Sequence, residues 1–190
     1  SNFFFGKGRR GGKDLLISLS RKYNFTYTCV DRLRDKHGTV YSSSAIRDFL
    51  KQGQIIRANK SLGRSWEIDG KVLIGDKRGK KLGYPTANLK LGKYAKLAFG
   101  VYVIKGKIYS ESGDKWINGI ANIGSRPTFS GNDIFLEVHF FNFRKNLYSK
   151  FLSIRFLDFL RKEKKFKNIN ALINQIARDI KKAKRILGRT

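Results

Sequence analysis

Between residues 134 and 143 the chain alternates with the period of a strand. Phe135, Glu137, His139 and Phe141 fall on one face, and Leu136, Val138 and Phe140 on the other. Similar runs, rich in β-branched and aromatic residues, occur at 66–74, 101–108, 116–123 and 153–159, divided by Gly, Asn and Ser. Several closely spaced strands predict a barrel or sandwich. The period changes at 169–187, where Leu172, Ile176 and Ile180 recur every four residues beside Ile173, Ala177, Ala183 and Leu187. That pattern predicts an amphipathic helix packed against the strands. A second helix is predicted from Ser42-Ser43-Ser44 onward, with Ile46, Phe49 and Leu50 on one face and a serine as its N-cap.

The first fifty residues read as the tail of an α/β domain. Residues 2–5 are a candidate strand, Leu15, Leu16, Leu19 and Tyr23 recur at helical spacing, and 25–30 are rich in β-formers. Gly6-Lys7-Gly8-Arg9-Arg10-Gly11 is a literal G-x-G-x-x-G, and Asp31 follows 20 residues later, as in a dinucleotide-binding turn. No second βαβ unit follows, and three cations crowd the turn, so that reading is set aside.

Composition narrows the classes. A length of 190 residues suits one domain and part of another. No apolar run reaches the length of a membrane-spanning helix, and no signal-peptide pattern opens the chain. The single cysteine, Cys29, excludes an internal disulfide framework and suits a reducing cytoplasm. Asn24-Phe25-Thr26 and Asn59-Lys60-Ser61 match glycosylation sequons and are read as accidental. Methionine is absent even from position 1, so the expectation is a piece of a longer protein. A net charge of +27 attracts polyanions. The cations are dispersed, however, and no zinc-ligand, RNP-like or homeodomain pattern accompanies them. No specific nucleic-acid partner and no membrane partner are expected. A basic nucleic-acid-binding barrel without catalysis stands as the alternative.

Candidate chemistry concentrates at residues 75–89. Gly75, Gly79 and Gly83, with Lys77, Arg78 and Lys81, precede Tyr84-Pro85-Thr86-Ala87-Asn88. Glycines and cations of this kind suit a polyphosphate, because backbone N–H groups can approach phosphate oxygens without a Cβ in the way. If the segment is extended, Thr86 and Asn88 point to one side with two neutral oxygens, half of a Mg²⁺ site. The reading is phosphoryl transfer from ATP, set against a solvated turn leading into an ordinary loop that starts a strand. It is not a Walker A loop, since no Lys-Ser or Lys-Thr follows the glycines. Glu137, among aromatics on its strand, is costly to bury unless paired or functional, the alternative being a surface glutamate.

These stretches stand in order with Phe99-Gly100-Val101-Tyr102, Asn122–Phe129, Leu136-Glu137-Val138-His139 and Arg161–Phe166. Together they resemble the bacterial bifunctional riboflavin kinase/FMN adenylyltransferases, or FAD synthetases, over residues ~40–187, with weaker matches upstream. The resemblance implies an α+β chain. A six-stranded antiparallel Greek-key β-barrel with a C-terminal helix would occupy 60–187, preceded at 1–55 by the remnant of an α/β nucleotidyltransferase domain. It implies that Glu137 takes the proton from the ribityl 5′-hydroxyl of riboflavin. It places ATP on Gly75, Arg78, Gly79, Lys81, Gly83, Thr86 and Asn88, Mg²⁺ on Thr86 and Asn88, and the flavin at Asn122 and Arg126. The product would be FMN, which the longer parent would also adenylylate to FAD.

Ser42, Ser43, Ser44 and Arg47 resemble that family's Ser-Ser-Thr-x-Ile-Arg signature against the nucleotide phosphates of the adenylyltransferase. The histidine-containing nucleotide motif of that module is absent. Four positions depart from the family: Ser44 stands where threonine is usual and keeps a hydroxyl, Asn2 and Phe4 replace an acid and an arginine, and Asn142 replaces an aspartate. His139 is read as structural. A degenerate flavin-binding module without catalysis is a further alternative.

Overall fold

The computed structural model describes residues 3–35, 38–75, 78–92, 94–109, 115–128 and 131–188, without the side chains of 78, 81, 126–128 and 131–132. The chain divides into two compact units, Ser1–Tyr41 and Ser42–Thr190.

The larger unit is built on six antiparallel strands: β1 (Trp66–Lys71), β2 (Ala87–Lys90), β3 (Gly100–Tyr109), β4 (Ile117–Thr128), β5 (Gly131–Phe140) and β6 (Phe151–Lys162). Their order is β1-β6-β3-β4-β5-β2. Strands β3, β4 and β5 form a meander and β6 returns beside β3, which is a Greek key. The two edges, β1 and β2, meet just past β1 at one bridge, where the Leu73 N–H donates to the Asn88 carbonyl at 2.8 Å. The sheet is therefore a half-barrel with a single seam.

Alternation decides what goes inside. Leu136, Val138 and Phe140 of β5 are buried, as are Tyr102 and Ile104 of β3 and Leu152, Ile154 and Phe156 of β6. Trp66, Phe156 and Tyr102 meet in this core, with centroid distances of 5.3 Å along the series. Helices α2 (Ser43–Lys51) and α3 (Ile55–Leu62) add Leu50, Ile55 and Ala58 to it. Ser42 Oγ caps α2 by accepting the Ala45 N–H at 3.1 Å, as the serine run predicts. Asn59 ties α3 down: its Nδ2 donates to the Phe156 carbonyl, and its Oδ1 accepts the Trp66 N–H, both at 2.8 Å.

The C-terminal helix α5 (Ile169–Leu187) matches the predicted span and is capped by Asn168 Oδ1, which accepts the Ala171 N–H at 2.9 Å. It lies on the outer face of the sheet. Ala183 and Ile180 pack there with Val101, Val103, Ile120, Leu157 and Leu160. Two register shifts in the β3–β6 ladder skip Leu157 and Leu160. A bulge turns an extra side chain to one face. Here both extra leucines join the layer under α5.

The loop at 84–88 does start a strand, the four-residue β2, at Ala87. Several other expectations need correction. The glycine-rich stretch holds a short helix, α4 (Arg78–Lys81), in place of an open loop. Strand β1 ends at Lys71, and Leu73 and Ile74 are exposed. Strand β5 ends at Phe140, because Asn142 turns the chain with φ 54°.

In the smaller unit only the helix is as predicted, α1 (Lys13–Tyr23). Phe5 makes a lone bridge to Gly11, with its ring over the glycine, and residues 25–30 form no ladder, leaving Phe25 and Val30 exposed. A β-forming segment without a partner strand has nothing to bond its backbone to. A 3-10 turn (Lys7–Arg9) occupies the G-x-G-x-x-G segment. Among the described residues the smaller unit shows one α-helix and isolated bridges rather than a sheet, and Asn2 lies outside them.

Candidate functional site

One row of residues crosses five strands. Asn88 on β2 pairs with Glu137 on β5, Glu137 with Asn122 on β4, Asn122 with Val101 on β3, and Val101 with Arg161 on β6. Cα atoms of directly opposed residues lie about 4.5–5.5 Å apart, so the two asparagines flank Glu137 closely. All five residues line one cavity of about 400 Å³. Its other walls are Gly79, Leu82, Tyr84 and Thr86, the segment after β6 with Glu163, Lys164 and Phe166, and Leu172, Ile176 and Asp179 of α5.

The glycines of residues 75–83 pack against their own motif. A Cβ at Gly75 would overlap the Asn88 side-chain amide, and one at Gly79 would overlap the Tyr84 carbonyl beside the Thr86 hydroxyl. The Gly79 carbonyl accepts the N–H groups of Leu82 (3.1 Å) and Tyr84 (2.8 Å), and the Lys80 carbonyl accepts that of Gly83 (3.2 Å). These N–H groups hold the turn, and Gly83 completes it at φ 83°. Close approach by Gly75 and Gly79 puts Asn88 and Thr86 in the cavity wall.

His139 secures the same wall from β5. The Pro85 carbonyl can only accept, so Nδ1 carries the proton of this 2.9 Å bond. The Tyr84 ring meets the His139 ring edge-on at 5.6 Å. These two contacts fix the imidazole in the cavity lining.

At the far end of the row Arg161 grips α5. Its Nε donates to both oxygens of Asp179, at 3.1 and 2.9 Å, and its Nη2 lies 2.7 Å from Asp179 Oδ2. Gln175 Nε2 donates to Asp179 Oδ1 at 2.8 Å, and the Asp179 side chain is only 6% exposed. Sequence reading gave this pair no role. A signal was present: Asp179 lies three residues after Ile176 and four before Ala183, a carboxylate on the apolar stripe of the helix. Glu163, Phe166, Leu172 and Ile176 were likewise not singled out as cavity residues.

Of the other predicted residues, Asn122 lies in the row. Arg126 is on β4 opposite Asp133, and Arg78 and Lys81 are in α4; the side chains of these three cations, and all of Lys77, lie outside the described residues. Ser42 is a helix cap, and exposed Ser43, Ser44 and Arg47 do not line the cavity. A second cavity, of about 500 Å³, has Thr86 in its wall as well, together with Lys80, Arg144, Lys145 and Tyr148. Thr86 therefore stands between a chamber of mixed charge that holds Glu137 and one whose charged lining is cationic.

The donor set at this boundary suits Mg²⁺. Thr86 and Asn88 offer neutral oxygens in one wall, Glu137 lies one strand away, and a hard ion of this size completes its shell with water and phosphate.

Greek-key half-barrel, C-terminal helix and cavity define a six-stranded single-sheet fold with a pocket along one row of its strands. The family described as Flavokinase: Riboflavin kinase matches residues 62–187, and the chain belongs to that family. It is 39% identical over 186 residues to the bifunctional riboflavin kinase/FMN adenylyltransferase of Buchnera aphidicola subsp. Schizaphis graminum, covering 97% of this chain and 59% of that protein. The Escherichia coli K12 protein of the same name is 34% identical over 189 residues, covering 100% and 59%. The chain thus spans less than two thirds of the curated relatives it matches. Among solved structures, a Streptococcus pneumoniae chain described as a macrolide-efflux protein superposes with a TM-score of 0.82 at 29% identity, covering 96% of this chain and 57% of that one. Among the described residues of the present chain, no helix is long and apolar enough to cross a membrane.

Proposed function

We propose that the chain is a riboflavin kinase, moving the γ-phosphoryl group of ATP to the ribityl 5′-hydroxyl of riboflavin to give FMN and ADP. The observation that carries this is the placement of Glu137. It lies in register between Asn88 and Asn122, in a cavity whose wall also holds Thr86. Tyr84, Phe166, Leu172 and Ile176 give the planar flavin apolar surface, with Asn122 and Arg126 on its side of the site. Gly75, Arg78, Gly79, Lys81 and Gly83 bring the 75–83 segment to the nucleotide phosphates, and Lys80, Arg144 and Lys145 offset their charge from the second cavity.

Glu137 accepts the hydroxyl proton as the ribityl oxygen bonds to the γ-phosphorus and the bond from that phosphorus to the bridging oxygen breaks, releasing ADP. Thr86 and Asn88 would hold Mg²⁺, which when bound offsets phosphate charge. The chain's remaining work is positioning: the row fixes where the acceptor lies, and Arg161–Asp179 fixes α5 above it.

Residues 1–55, with Ser42, Ser43, Ser44 and Arg47, are the part we assign to the adenylyltransferase of a longer parent that converts FMN to FAD. The barrel assignment is 60–187.

Incubation with riboflavin, ATP and Mg²⁺, followed by chromatography of the flavins, is the test. FMN formed in proportion to ATP consumed is expected. Flavin binding by calorimetry without any FMN would instead identify a degenerate flavin-binding module.

A further inference from the structure

A third cavity, of about 740 Å³, lies at the other end of α5. It meets the helix at Lys184, Leu187 and Gly188, whereas the 400 Å³ cavity meets it at Leu172, Ile176 and Asp179. The two share no lining residue, and at 1.5 Å per residue Ile176 and Lys184 stand roughly 12 Å apart along the axis. Among its described lining residues this cleft combines Lys115 and Lys184 with Trp116 and Phe141 and holds no carboxylate, and it borders the 500 Å³ cavity at Phe143 and Lys145. Cations already lie over the rings: Arg155 4.0 Å and Lys107 5.9 Å from the Trp116 centroid, Lys184 5.7 Å from that of Phe141. Alongside, Tyr109 and Phe151 are paired in register across β3 and β6, and are 50% and 48% exposed. Large aromatic surface left this open beside lysines is not needed for the core.

We infer that this cleft, with the Tyr109–Phe151 shelf, binds single-stranded nucleic acid without base preference. Phosphodiesters match lysine ammonium groups, which act as point charges and demand no fixed geometry. Unpaired bases match exposed rings, because every base has a stacking face. A duplex hides its bases and offers the shelf nothing beyond phosphate. Net charge alone would draw polyanions to any part of a +27 chain. Lysines of this cleft, and rings beside it, carry the binding.

Fluorescence anisotropy with a labelled fifteen-nucleotide oligothymidylate tests it. Two triple variants remove equal charge: Lys107→Gln/Lys115→Gln/Lys184→Gln in the cleft and over the rings beside it, and Lys22→Gln/Lys60→Gln/Lys181→Gln elsewhere. The cleft triple should weaken binding at least tenfold more than the other. It should also lower the steepness of log K against log salt by about 2, the share of three contacts to a single strand. Phe151→Ser, at a half-exposed position, should weaken oligothymidylate and leave inorganic polyphosphate binding unchanged. Equal losses from the two triples would overturn the inference, as would polyphosphate or duplex DNA binding as tightly as the single strand. Circular dichroism on each variant separates loss of binding from loss of fold.

Discussion

Arg161 and Asp179 form a largely buried, forked ion pair, 2.7 Å at its shortest, that fastens α5 to the last strand of the sheet. The pair ends the row that begins at Asn88, and the helix it holds forms the opposite wall of the same cavity. Lys182, whose Nζ donates to the Leu160 carbonyl at 3.2 Å, ties the helix to the same strand one turn further on.

Asp179→Ala should therefore cost roughly 3–5 kcal/mol, because it strands a buried guanidinium. Urea unfolding measures it. Arg161→Met with Asp179→Leu removes both charges and should recover most of the loss. A double variant as unstable as Asp179→Ala would mean that the stranded charge is not the cause.

Glu137→Gln keeps size and hydrogen bonding but cannot take a proton as a carboxylate does. FMN formation should fall by roughly 10²–10⁴ in kcat, with nucleotide affinity and thermal stability close to the parent. Near-parental kcat in a normally folded variant removes Glu137 as the base.

Thr86→Ala with Asn88→Ala should raise the Mg²⁺ concentration needed for half-maximal FMN formation and lower the rate reached at saturation. An unchanged Mg²⁺ titration would show that the metal is held elsewhere.

Tyr102 gives a pH prediction. Burial pushes its phenol above the ordinary value near 10, with the hydroxyl donating to the Ala98 carbonyl. The folded state therefore keeps the proton that the unfolded chain releases. The resulting stability is present in full below about pH 10 and is lost as pH rises beyond it. The stability difference between the parent and Tyr102→Phe should stay level from pH 7 to about 10 and then move against the parent. A difference that stays level up to pH 11 would contradict this.

The sequence by itself determined most of the strands, the span of α5, the cap at Ser42, and the face that Glu137 shares with His139, opposite Leu136 and Val138. Each depends on periodicity or on a side chain bonding its own neighbourhood, and such interactions are local. The order of motifs along the chain was also legible, and with it the family. Tertiary structure alone decided the rest. Residues 25–30 have the composition of a strand yet form none, because a ladder needs a partner that no local preference supplies. Short β2 exists because β5 and the seam at Leu73 satisfy its backbone. The row from Asn88 to Arg161 depends on strand order and register. Those follow from how the Greek key closes and where β6 bulges, between residues as far apart in sequence as 88 and 161. The Arg161–Asp179 pair stayed hidden for a related reason: the charge on α5 finds its partner only once the helix lies across the sheet.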